Sequence, residues 1–127
     1  VVRVLPAGYS IVDNILDFRP LLAALLKPGL KLNEGAALFH GTVIDGLAEW
    51  IAHAAAEQRQ TNVILGGGCL NNLVLAEGLA LALRSRGLVP WLPRAVPAND
   101  GGLSLGQAAM ARAHLKAEST ACRASWR

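Results

Sequence analysis

The stretch Thr61-Asn62-Val63-Ile64-Leu65 followed by Gly66-Gly67-Gly68 leaves few folds open. Its adjacent apolar residues are too few for a helix and lack the alternation of a strand with one wet face, so they read as a strand buried on both faces of a parallel sheet. Three glycines then stop it. From Leu70 to Arg86 the residues Leu73, Val74, Leu79 and Leu83 return at helical spacing, and Gly87 stands where a left-handed C-cap is wanted. The unit is strand, bare turn, helix.

The flanking segments extend that alternation. Leu88 to Pro93 reads as a second strand, with Pro90 limiting its hydrogen bonding and pointing to a sheet margin. After it, Asn99-Asp100 introduces a helix lined with small residues that suit close packing. Upstream, Pro20 opens a short helix carrying Leu21, Leu22, Leu25 and Leu26, which stops at Pro28-Gly29. A longer helix is expected from Glu34 to Gln58, where Phe39, Val43, Leu47, Ile51 and Ala54 recur at three- and four-residue steps and face a core. Residues 1 to 17 mix β-branched residues with Pro6 and Gly8, compatible with a strand or a turn. The order helix, strand, helix, strand, helix predicts an α/β fold with right-handed crossovers, a small sheet with packed helices. One domain over residues 1–117 is expected, then a flexible basic tail over 118–127. The chain begins without Met inside an extended-looking segment, as a piece of a longer polypeptide would.

Composition narrows the function classes. With 53% hydrophobic and 17% charged residues the chain can pack a core. Aromatics at 5% supply no base-stacking platform, which argues against nucleic acid. The net charge of +3 is gathered toward the end, at Arg112, Lys116, Arg123 and Arg127, where solvated cations suffice to explain it. Two cysteines, Cys69 and Cys122, make no disulfide framework and suit a reduced, cytoplasmic setting. Charged, Gly or Pro residues interrupt every apolar stretch before it reaches membrane-spanning length, so neither export nor insertion is expected.

Chemistry is expected at the two turns, since ligands of open α/β sheets bind beyond the C-terminal ends of strands. The glycines before Leu70 remove the Cβ atoms that would bar an anion, and the next helix offers unpaired N–H groups. Read without a ligand, the same residues are a tight strand-to-helix turn. The P-loop is excluded because no Gly-Lys-Ser/Thr closes the turn, and the dinucleotide fingerprint because Asn71 stands where it needs glycine. At Pro97-Ala98-Asn99-Asp100-Gly101-Gly102, Asp100 is either a helix N-cap or a cleft carboxylate able to ligate a hard cation. His40, His53 and His114 are too widely spaced for an obvious ligand pair; His40 reads as a hydrogen-bonded core residue and the other two as helix-surface residues. Cys69, with no base beside it in sequence, reads as a small buried side chain, and Trp50 and Trp91 as core or interface residues.

Taken together with their spacing, Leu65 to Gly87 and Leu92 to Ala111 resemble the C-terminal end of HypF-type carbamoyltransferases, hydrogenase maturation factors. The segments Phe39 to Ala52 and Phe18 to Leu26 fit the same family, and a more distant likeness reaches the tRNA threonylcarbamoyltransferases. The resemblance implies half of an actin-like, sugar-kinase-like ATPase fold that binds ATP and a divalent metal (Mg, Zn or Fe). It implies use of ATP and carbamoyl phosphate to make a carbamoyl-adenylate, and transfer of the carbamoyl group to the C-terminal cysteine of HypE, on the way to the cyanide ligand of the nickel-iron site. By position, Gly67, Gly68, Asn72 and Gly101 match nucleotide-binding residues, and Asp100 matches an aspartate that joins two histidines at the metal. The paired histidines are absent here, and Gly66 and Asn71 stand where the family commonly has Ser and Gln. The missing N-terminal portion of the same protein is the implied partner. The alternative is a non-catalytic interaction or dimerisation module that keeps the lobe's shape and binds a partner protein or a second copy.

Overall fold

The computed structural model describes residues 1–124, with side chains through residue 116. The chain opens as an extended strap lying on a long helix, with Arg3 N–H donating to Ala37 O at 2.9 Å and Leu5 N–H to the buried Thr42 Oγ1 at 2.8 Å. Gly41 makes this approach possible, since a Cβ there would collide with the Arg3 backbone. An antiparallel hairpin of β1 (Ser10–Val12) and β2 (Ile15–Asp17) follows. Its turn holds Asp13 and Asn14 at φ of 50° and 60°, the positive angles that two-residue hairpin turns require and that Asp and Asn tolerate.

Helix α1 (Arg19–Leu25) starts with Pro20 in its first turn and buries Leu21 completely. Helix α2 runs Leu32–Glu57, two residues earlier than its apolar pattern suggested. Its expected stripe is only partly the buried one. Leu47 and Ile51 pack against the core, whereas Phe39 is 41% exposed and Leu38, Thr42, Ile44 and Ala48 are buried. The reason is that α2 is covered on two sides, by the N-terminal strap and by α3, so burial wraps around it rather than following a single stripe.

Strand β3 (Asn62–Ile64) pairs in parallel with β4 (Val89–Trp91), Val63 lying opposite Pro90. Between them come a 3-10 turn (Gly68–Asn71) and helix α3 (Leu73–Ser85), a strand-helix-strand crossover. The helix begins three residues later than expected because the 3-10 turn intervenes. Its C-terminal glycine is as predicted, with Gly87 at φ 78°. Leu79 and Leu83 join Ala48 and Leu65 in the core, but Leu73 (70%) and Val74 (50%) are exposed. Arg86 ties α3 to α2 through Asp45 at 2.7 Å.

One expectation fails in an instructive way. The core-facing side of the β3–β4 pair, with Val63, Leu65 and Leu92, is covered by α2 and α3. Its other side is bare: Ile64 is 85% exposed and Trp91 60%. The apolar run is that of a strand covered on both faces, and within this chain only one face is covered. Helix α4 (Leu103–Ala124) does not pack tightly either: its side chains through residue 116 are all exposed. The tail expected over 118–127 falls where side chains are not described, and residues 125–127 lie outside the described residues. Among the described residues no helix is long and apolar enough to cross a membrane.

Candidate functional site

The glycine turn and the Asn-Asp-Gly-Gly turn lie at the same end of the sheet. Gly66 and Gly67, at the end of β3, and the segment Val96–Asp100, which follows β4, wall a hollow of about 860 Å³. That is within the usual range of small-molecule sites. The opposite wall is the first two turns of α4, where Leu103, Gly106, Gln107 and Met110 form a single stripe. A hydrogen bond from Gly67 N–H to Ala98 O, 2.6 Å long, joins the two reversals directly.

Local sequence explains each wall. Gly67 holds φ 116° and ψ 158°, a conformation essentially confined to glycine, and it is this twist that turns its N–H toward Ala98. Gly66 has nothing closer to its Cβ position than Ala98 O at 4.0 Å, so its surface is open backbone. In the second reversal Asn99, not Asp100, is the cap: its Oδ1 accepts from Gly101 N–H at 3.0 Å, and its carbonyl accepts from Gly102 N–H at 3.0 Å. Because Asn99 does this, the Asp100 carboxylate takes no hydrogen bond among the described residues and lines the hollow. Gln107 is likewise without a hydrogen-bond partner there.

The expected site residues divide. Gly67 and Asp100 line the hollow, while Gly68 and Gly101 do not. Asn72 is turned away altogether. Its Oδ1 caps α3 by accepting from Leu75 N–H at 3.3 Å, and its Nδ2 donates to His40 Nε2 at 2.8 Å. His40 in turn donates from Nδ1 to Ala36 O at 2.9 Å, so this histidine is hydrogen-bonded as expected, though half-buried rather than in the core. Cys69, read as buried, is exposed on the 3-10 turn. Trp50 donates to Asn14 O at 2.9 Å, holding the hairpin to α2. Gln107 and Met110 were not foreseen. Their signal was present, since 103, 106, 107 and 110 share one side of a helix.

The donor set does not by itself fit a divalent metal. Asp100 is one carboxylate, hard cations take about six oxygen ligands, and no group of three or more His, Cys, Asp or Glu gathers among the described residues. His40 lines no part of the hollow. The arrangement can receive a ligand with an apolar body against Ile64, Val96 and Met110 and a polar end against Gly66 and Asp100.

Residues 3–107 match the family model described as carbamoyltransferase, Kae1-like domain, second subdomain. The chain belongs to the HypF carbamoyltransferase family. It is 58% identical over 111 residues to the carbamoyltransferase HypF of Rhizobium leguminosarum bv. viciae, a match covering 87% of this chain and 15% of that protein. It is 39% identical over 125 residues to a carbamoyltransferase HypF homolog of Cupriavidus necator, covering 87% of this chain and 32% of that protein. A tRNA N6-adenosine threonylcarbamoyltransferase of Sorangium cellulosum is 32% identical over 84 residues, covering 66% of this chain and 24% of that protein. The chain thus spans a minor part of the length of these HypF relatives. The hollow lies inside the matched residues except for the last turn of its α4 wall, at Met110.

Proposed function

We propose that this chain is the lobe of a HypF-type carbamoyltransferase that holds the phosphate end of ATP between the glycine turn and Asp100. The reading rests on one observation above all: the two reversals, 31 residues apart at Gly67 and Ala98, are hydrogen-bonded to each other and share a hollow. A phosphate approaching Gly66 meets backbone with no side chain in the way. Asp100 supplies one ligand to a divalent metal completed by residues outside this chain; magnesium, zinc and iron all accept a carboxylate. In the complete enzyme, formed with the preceding lobe of an actin-like, sugar-kinase-like fold, water releases inorganic phosphate from carbamoyl phosphate, and an oxygen of the resulting carbamate attacks the α-phosphorus of ATP, displacing pyrophosphate, to give a carbamoyl-adenylate. The thiolate of the C-terminal cysteine of HypE then attacks the carbamoyl carbon, and AMP leaves with the electron pair of the broken C–O bond. Donors fixed at the phosphate favour that departure because negative charge grows there. The proposed setting is cytoplasmic, where a thiol such as that of Cys69, free among the described residues, stays reduced.

Calorimetric titration of ATP into the chain, with and without Mg²⁺, tests the reading. Binding heat that disappears in Gly67→Val and loses its Mg²⁺ dependence in Asp100→Ala is expected. No heat from the folded chain at millimolar ATP refutes a cleft formed by this lobe alone. The bare β3–β4 face favours a second reading, a non-catalytic interaction module, and an ATP-silent chain that self-associates would establish it in place of the first.

A further inference from the structure

Away from the hollow, a second cavity of about 580 Å³ lies along β4 and the bend that follows it. Two guanidinium groups line it, Arg84 from the last turn of α3 and Arg94 from the bend. No Asp or Glu among the described residues lines it with them. Arg86 shows the contrast, since it is paired with Asp45 at 2.7 Å and takes no part in the cavity. Arg84 also suits the negative end of α3. Arg94 stands on no helix, so a helix end does not explain why the two cations share one space.

The border of the cavity is set by β4 itself. Val89 N–H donates to Thr61 O at 2.8 Å and Trp91 O accepts from Leu65 N–H at 2.8 Å, so the main-chain groups of 89 and 91 are turned toward β3. Pro90, between them, faces the other edge and has no N–H to offer it. The residue itself thus refuses a further strand, and the cavity beside that edge is not the empty seat of one. Val89 and Leu92 add apolar wall, together with the indole of Trp91, whose N–H donates to Asn62 Oδ1 at 2.9 Å and so holds the ring in place.

We propose that this cavity binds a small molecule carrying a phosphate group, with the phosphate on Arg84 and Arg94 and an uncharged body on Trp91 and Leu92. Charge decides among oxyanions. Two fixed positive charges match a phosphate monoester, which carries about −1.5 to −2 near pH 7, better than a carboxylate, which carries one negative charge. The planar donor fork of arginine takes phosphate oxygens two at a time and stays charged at any physiological pH. The volume suits such a molecule, since small-ligand cavities run about 300–1,000 Å³. This cavity and the hollow share no lining residue, so the proposal stands or falls apart from ATP binding there.

Titration of phenyl phosphate into the ¹⁵N-labelled chain, followed through its amide resonances, tests the proposal. Saturable shifts at residues 84, 91, 92, 94 and 95 are expected, with roughly millimolar affinity. Arg84→Gln and Arg94→Gln, both at exposed positions and so leaving the rest of the amide spectrum in place, should each weaken binding by about fivefold or more, and the double variant should abolish it. Benzoate, with the same ring and half the charge, should bind about fivefold or more weakly. Benzoate binding as tightly as phenyl phosphate assigns the cavity to carboxylates and overturns the proposal. So does an absence of shifts up to about 20 mM probe, or binding indifferent to both arginines. Shifts confined to residues 66–68 and 98–102 place the anion in the hollow and equally overturn it.

Discussion

Asn72 offers the sharpest discrimination between a side chain that binds ligand and one that builds the scaffold. The family resemblance assigns it to the nucleotide, yet in the structure its carboxamide is occupied at both ends, by Leu75 N–H on α3 and by His40 Nε2 on α2. Asn72→Ala removes a helix cap worth about 1 kcal/mol and a side-chain hydrogen bond worth about 0.5–1 kcal/mol at a half-exposed position. The sum, about 1.5–2 kcal/mol, corresponds to a fall of roughly 6–8 °C in Tm for a domain of this size. Asn72→Asp separates the two contributions. It keeps the oxygen that caps α3 but sets a second acceptor against the accepting Nε2 of His40, so about half the loss should remain. Thermal denaturation followed by circular dichroism reads the stability, and ATP titration of the same variants reads the hollow. The expected pattern is lower Tm with ATP affinity changed less than threefold. A variant with unchanged Tm and no ATP binding would refute the bridging role and return Asn72 to the ligand.

Further outcomes follow from other parts of the fold. Tyr9 donates to Asp45 Oδ2 at 2.9 Å and Glu49 Oε2 at 2.5 Å, and burial, then these two carboxylates, push its pKa well above the ordinary 10.0. A raised folded pKa contributes stability that is complete below about pH 10 and is lost as pH climbs through the folded value. As the only tyrosine in the chain, it should show phenolate absorbance only well above pH 10, and the stability gap between wild type and Tyr9→Phe should narrow there. Normal titration near pH 10 in the folded chain would contradict the network. Gly78→Ala drives a methyl into Ile44 where α3 crosses α2, and overpacking of this kind costs about 1–3 kcal/mol in chemical denaturation; a loss below about 0.5 kcal/mol would show that the crossing is loose.

Where the sequence carried a strong local signal, fold and sequence agree. Pro20, the Pro28-Gly29 stop, the glycine after α3 and the strand-turn-helix at Gly66 each reflect a backbone constraint within a few residues. Ile64, expected on a strand buried on both faces, was misplaced for a reason different from that of Phe39. Apolar spacing says which side of an element avoids water, but not whether the element that covers it belongs to the same chain. The site divides similarly. The convergence of the two reversals follows from parallel strand order, which puts both loops at one end of the sheet. The diversion of Asn72 to His40 depends on the packing of α3 against α2 and has no signature in spacing. Asn99 outcompetes Asp100 as cap because its oxygen reaches Gly101 N–H, a choice between neighbouring cap-forming residues that composition cannot make.

The short bond between Gly67 and Ala98 buckles the mouth of the crossover shut. Two flexible segments, one nearly all glycine, are thereby set to a common gauge when the chain folds. The entropy of ordering them falls on folding instead of on ligand capture. Severing that single clasp, even with every side chain at the rim intact, should therefore slow association and leave a floppier aperture, the behaviour of a purse whose drawstring has been cut.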